Sequence, residues 1–302
     1  MPQGSVLGPL LFDIYIDDVV GVLGEQCLIY ADDLKIFTNI SGMEDCLCLQ
    51  QKICFLSRWC ELNSLPLNAG KCNMMTFARV QSPTLFDYRV GNSRVVRPEY
   101  VDDLGVRFDC QMTFVPHISH VVGAAFRRLG FIIRNSSDFR NHQTLFILFK
   151  ALVRPVLEYA SVVWAPMYDI HVAALEKVQR RFLKYVSFKI DGVYPSLGID
   201  EQQLLDRFEM PSLQSRRQMH SVLFLHDLMH RNIDCDRIRS NFILREPRPS
   251  IRNSLVFKVP QPHTNVMLNS PVYRMLKNYG LIADKCDVFV ATKTQVRLCF
   301  AV

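Results

Sequence analysis

The chain has 302 residues, 49% of them hydrophobic and 21% charged, enough to build two ordinary domains with their own cores. Twenty Phe, ten Tyr and no low-complexity tract exclude a disordered or fibrous chain. The net charge of +6 is unevenly spread: residues 1–119 hold nine Lys/Arg against fourteen acids, and residues 120–190 hold eleven against four.

The first eighteen residues carry no basic segment and turn acidic, unlike a secretory leader. The protein is therefore expected inside the cell, nuclear or cytoplasmic, and not secreted. Gly8 then Pro9 reads as an N-cap followed by the first helical position. Leu10, Leu11, Ile14 and Tyr15 continue an apolar stripe to about Val20. Residues 26–39 place two short apolar runs around Asp32-Asp33, the pattern of a β-hairpin with acids at its tip. Met43 to Leu62 spaces Cys46, Leu49, Ile53, Leu56 and Cys60 by three and four, one apolar helical face. That face makes its cysteines core thiols rather than metal ligands, and the ten irregularly spaced Cys fit reduced thiols. Asn68-Ala69-Gly70-Lys71 is a turn before an apolar strand, Cys72 to Ala78. Tyr88 to Arg97 reads as a further strand pair and Leu104 to Phe108 as another extended run.

From His117 the apolar spacing becomes helical, over His117 to Arg134, Asn141 to Tyr159 and Val172 to Ser187. The stretch 145–166 contains Lys150, Arg154, Pro155 and Glu158, so no membrane-spanning helix is predicted. The third helix puts Leu175, Val178, Phe182 and Tyr185 on one side and Lys177, Arg180, Arg181 and Lys184 on the other. A last helical run, Leu204 to His230, precedes a looser tail containing Pro and Arg.

Adjacent Asp residues in a turn are often only solvated turn formers. Held rigidly in a short hairpin, they form a pair that binds hard divalent cations through oxygen. Tyr30-Ala31-Asp32-Asp33 resembles the Y-x-D-D motif of reverse transcriptases. The surrounding order is similar too: PQGSVLGPLLFDIYIDD (2–18) resembles motif B, LNAGKC (67–72) motif D, and LGVRFDCQMTFVPHI (104–118) the motif E region. LVRPVLEYASVVWAP (152–166) and the following VQRRFLKY resemble the thumb or post-thumb region of insect-type non-LTR (LINE-type) retrotransposon polymerases. Four ordered motifs are far more specific than Y-A-D-D alone.

The resemblance implies two-metal nucleotidyl transfer onto a primer 3′-OH, with Mg²⁺ (Mn²⁺ as substitute) as cofactor and an RNA template, a DNA primer and dNTPs as partners. It gives Asp32 the role of metal ligand and Asp33 that of a weaker ligand or structural partner. Tyr30 would sit beside the primer terminus, and Gln3 and Gly4 beside the incoming nucleotide or templating base. Lys71 would be the general acid for pyrophosphate, or else a solvated lysine after a turn. Leu104, Gly105 and Val106 would form the primer grip, or else an ordinary strand. Arg180, Arg181 and Lys184 would meet duplex phosphates, or else form a charged solvent face.

The expected fold class is α+β: a partial polymerase palm over 1–116, with a small antiparallel sheet plus helices, an all-α thumb over 117–190 and a helical tail over 191–302. In the family, a motif A strand with the first metal-binding Asp precedes motif B, which begins here at residue 2. The expectation is therefore an N-terminally truncated RNA-directed DNA polymerase, inactive as this chain alone. The alternative is a catalytically inactive nucleic-acid-binding relic, and a third reading is an unrelated metal-binding or structural protein.

Overall fold

A computed structural model describes residues 4–24, 26–78, 82–139, 141–195, 200–245 and 256–300. It is mainly helical with small two-stranded sheets, and it divides into two units, Met1–Val101 and Asp102–Val302.

In the first unit Pro9 stands in the opening turn of α1 (Gly8–Ile16), where its missing N–H costs nothing. Gly8 is the first helical residue rather than the cap. The helix ends at Asp17 and resumes as α2 (Asp18–Leu23), which Gly24 stops at φ +70° with its N–H on the Val20 carbonyl. The expected apolar stripe forms but is not covered, for α1 buries no residue while α2 buries Val19 and Leu23. A stripe is buried only where another apolar surface meets it.

The long helix α3 (Met43–Leu62) serves two cores from one face. Leu56 and Cys60 join Val19, Leu23 and the inward side chains of a hairpin, β1 (Cys27–Tyr30) and β2 (Asp33–Ile36). Cys46 joins Tyr88 and Val95, with Leu49 and Ile53 packed beside them. The expected core thiols are thus found at Cys46 and Cys60, and burial raises the Cys60 pKa. Tyr88 and Val95 flank the small hairpin of β3 (Arg89–Val90) and β4 (Ser93–Arg94), which turns at Gly91, φ +57°. Gln50 of α3 ties that hairpin down by bonding both backbone groups of Arg89, at 2.8 and 2.9 Å.

One expectation in this unit is corrected. Cys72 to Ala78 does not form a strand; a short 3-10 turn (Ala69–Lys71) leads to a single parallel bridge, Asn73 with Val96. A strand exists only as far as its ladder has a partner.

The chain passes into the second unit along β5 (Tyr100–Asp103), which forms a hairpin with β6 (Val106–Asp109). Leu104 and Gly105, expected as extended, form its turn, with φ of +46° and +81°. Two successive positive φ values match the right-handed twist of the strands and close the chain in two residues. Helix α4 (Val115–Asn135) follows, then α5 (His142–Leu148), capped by the Asn141 side chain, a π-helical turn (Phe149–Val153), α6 (Arg154–Glu158) and α7 (Ser161–Trp164). Helix α8 (Asp169–Asp191) buries ten residues, among them Leu175, Val178, Phe182 and Tyr185. Phe182 stacks on Phe149 with ring centroids 4.2 Å apart, both fully buried.

The expected continuous helix Leu204 to His230 is broken into α9 (Glu201–Arg207) and α10 (Leu213–Met229). Pro211 stands in the break and cannot donate to a helical ladder. Glu176 of α8 fills the gap: its carboxylate accepts the N–H groups of Leu213 (3.0 Å) and Gln214 (2.6 Å) at the start of α10 and pairs with Arg217. Burial pushes the Glu176 pKa up against those partners. The tail is less loose than its composition suggests. Helices α11 (Asp236–Arg239), α13 (Pro271–Gly280) and α14 (Lys293–Leu298) close a second core with α10 around Phe257, Met275, Tyr279 and Val288, and the short α12 (Asn265–Leu268) precedes α13. No helix among the described residues is long and apolar enough to cross a membrane.

Two outcomes test this packing. Phe182→Ala removes a fully buried ring from the stacked pair and should cost about 3–5 kcal/mol in urea unfolding. His117 on α4 is 2% exposed, and burial, aided by His120 and Arg107, pushes its pKa down to about 4 from an ordinary 6.5. The unfolded chain therefore takes up this proton before the folded one does. Stability present above pH 6.5 should drain away between pH 6.5 and 4, by up to about 3 kcal/mol. His117→Asn should flatten that part of the urea-midpoint profile.

Candidate functional site

The acidic hairpin is built by register. Antiparallel pairing sets Cys27 opposite Ile36, Leu28 opposite Lys35, Ile29 opposite Leu34 and Tyr30 opposite Asp33, leaving Ala31 and Asp32 to make the turn. Cys27 and Ile29 face the α2–α3 core, and Leu28 and Tyr30 face outward, 58% and 65% exposed. Because side chains alternate along a strand, the inward pair fixes which way the tip presents its residues. Ala31 is left-handed at φ +51°, a conformation that a residue with a Cβ adopts only under constraint. Asp32 and Asp33 are both exposed at the tip.

Two adjacent carboxylates of this kind offer oxygen ligands to a hard cation. Among the described residues no group of three or more His, Cys, Asp or Glu gathers to complete such a site. Tyr30, Asp32 and Asp33 are thus brought together by one hairpin. Lys71 ends the separate 3-10 turn with its side chain exposed, and Gly4 is exposed at φ +84° with nothing near its missing Cβ. Gln3 lies outside the described residues.

In the second unit, Leu104 and Gly105 form an exposed turn and Val106 is buried behind it. Two bonds from other elements hold that turn. The Tyr159 hydroxyl donates to the Leu104 carbonyl (2.9 Å), and the Arg107 N–H donates to His117 Nδ1 (3.1 Å). Arg107 also forms a bidentate pair with Asp102 at 2.8 and 3.0 Å, which pulls the Asp102 pKa below the usual carboxylate range. At the far end of β6, Asp109 accepts from the N–H groups of Gln111, Thr113 and Phe114 and from the Thr113 hydroxyl. That corner launches α4.

The basic side of α8 is less uniform than its sequence suggests. Arg180 pairs with Glu201 at 3.7 Å, and Arg181 lies over the Phe126 ring, 5.9 Å from its centroid. Lys177, Arg181 and Lys184 have no carboxylate partner among the described residues. Two arginines of α10 are spent internally: Arg216 pairs with Glu158, and Arg217 with Glu176. Sequence reasoning gave Tyr159, His117 and Asp109 no role; all three lie inside the quoted strings 104–118 and 152–166, but only the fold shows what they touch.

The family model described as reverse transcriptase (RNA-dependent DNA polymerase) matches residues 1–133. The chain is 27% identical over 203 residues to the RNA-directed DNA polymerase from mobile element jockey of Drosophila funebris, and 28% over 211 residues to that of Drosophila melanogaster. It is 25% identical over 198 residues to the probable RNA-directed DNA polymerase from transposon X-element of Drosophila melanogaster. Each alignment covers 62% of this chain and 21 or 22% of the relative, so the chain spans about a fifth of the length of these curated relatives. No solved structure matches. Motif order, hairpin geometry and these matches agree: residues 1–133 match the reverse transcriptase family, and the chain is similar to RNA-directed DNA polymerases of non-LTR (LINE-type) retrotransposons.

Proposed function

We propose that this chain is part of an RNA-directed DNA polymerase of a non-LTR retrotransposon, adding dNTPs to a DNA primer on an RNA template. The observation that carries the reading is the rigid hairpin tip, with Asp32 and Asp33 side by side within the matched region. Residues 1–116 act as palm, 117–190 as thumb and 191–302 as a C-terminal helical region. These are functional segments, since one core joins α4 and α8 to α9 and the start of α10.

Asp32 and Asp33 would contribute carboxylates to a Mg²⁺ site, with further ligands coming from outside the described residues. When bound, such ions activate the attacking 3′-hydroxyl and stabilise the leaving pyrophosphate. Tyr30, exposed beside the acids, flanks the primer end, and Gln3 and Gly4 approach the nucleotide or templating base. Lys71 delivers a proton to pyrophosphate. Leu104, Gly105 and Val106 grip the primer. Arg181 and Lys184 meet backbone phosphates directly, and Arg180 does so on release from Glu201.

In a chimera where this chain replaces the matching region of a jockey-type polymerase, Asp32→Asn keeps the shape of the turn and removes its charge. Mg²⁺-dependent primer extension on RNA should fall at least about a hundredfold; unchanged extension removes Asp32 from the role. Separately, the double substitution Arg181→Ala, Lys184→Ala should weaken binding of this chain to RNA/DNA duplexes regardless of sequence. The slope of log affinity against log salt should shrink by roughly one to two, and an unaltered slope would take both residues off the phosphate path.

A further inference from the structure

We infer that Tyr159 and His117 are positioning residues that set the geometry of the Leu104–Gly105 turn, and that Trp164 links the two. The inference rests on the reading of that turn as the primer grip. A two-stranded ribbon of four residues a side is too small to fix its own tip, so its shape must come from its supports.

Tyr159 holds the tip itself. Its hydroxyl donates to the Leu104 carbonyl at 2.9 Å. Its ring lies against Gly105, where an added Cβ would come within 3.2 Å of Cε1. Gly105 is therefore required twice, for its φ of +81° and for the aromatic ring beside it.

His117 holds the strand just past the turn, accepting the Arg107 N–H at Nδ1. An accepting Nδ1 places the imidazole proton on Nε2 in the neutral ring.

One side chain joins the two supports. Trp164, 1% exposed, donates from Nε1 to the Tyr159 carbonyl at 2.8 Å and meets the His117 ring edge-on at 4.9 Å. Leu104, Tyr159, Trp164, His117 and Arg107 thus form a closed circuit around an exposed turn. A backbone bent for packing alone would not need side-chain bonds from two different helical segments on its exposed carbonyl and on its returning N–H.

The test uses the chain itself and an RNA/DNA duplex with a recessed 3′ end carrying 4-thiothymidine. Wild type should cross-link from the primer 3′ end to residues 104–106. Tyr159→Phe keeps the ring and removes the donor. It should lower that cross-link about three- to tenfold, with overall duplex affinity and thermal midpoint unchanged.

His117→Leu should speed hydrogen exchange at the Arg107 amide and lower the cross-link equally. His117→Asn, which can still accept that N–H, should restore both. Should Tyr159→Phe not fold, the His117 pair carries the test.

A wild-type cross-link that survives both variants would overturn the positioning role while leaving the primer grip intact. No wild-type cross-link at 104–106 would remove the primer-grip reading and this inference with it.

Discussion

A hairpin of four residues a strand cannot hold its own shape in water, and in this protein the acidic turn and the Leu104–Gly105 turn both sit on such hairpins. What they present is decided by the surfaces behind them. The acidic tip is set by Cys27 and Ile29 against Val19, Leu23, Leu56 and Cys60. The Leu104–Gly105 turn is set by polar contacts, from Tyr159 and His117. Apolar burial fixes which face of a strand points inward. A hydrogen bond to one carbonyl fixes a tip.

Long amphipathic helices supply those surfaces. Helix α3 spreads one stripe over two small cores, so each end carries a different hairpin. Helix α8 is buried along most of its length, and the cost of burying Glu176 within it is offset by two backbone N–H groups and Arg217. The same carboxylate caps α10 after Pro211 interrupts the chain. It thereby ties the start of α10 to α8, because unpairing it would strand a charge in the core.

Charge is partitioned in the same way. The surplus of Lys and Arg in the middle of the sequence looks like a single basic patch, yet Arg180 is paired on the helix face and Arg154, Arg216 and Arg217 stand with Glu158 and Glu176. The cations of α8 without a carboxylate partner among the described residues are fewer, Lys177, Arg181 and Lys184. Only the folded chain sorts the cations paired with a carboxylate from those without one.

The sequence by itself determined the elements whose signals are local. Apolar spacing of three and four located α3, α4 and α8, and alternation around Asp32-Asp33 located the acidic hairpin, because those periods follow directly from helix and strand geometry. Ordered motifs carried the resemblance to reverse transcriptases, and the family match falls on the residues that hold them. Tertiary structure alone decided what depends on a distant partner: that Cys72 to Ala78 pairs at a single bridge, that Leu104 and Gly105 turn, and that Pro211 parts α9 from α10. It also decided that α1 leaves its stripe exposed, and that Tyr159 and Trp164 meet Leu104 and His117 from more than forty residues further along the chain. Periodicity reports which face of an element is apolar, and it carries no information about which other surface arrives to meet it.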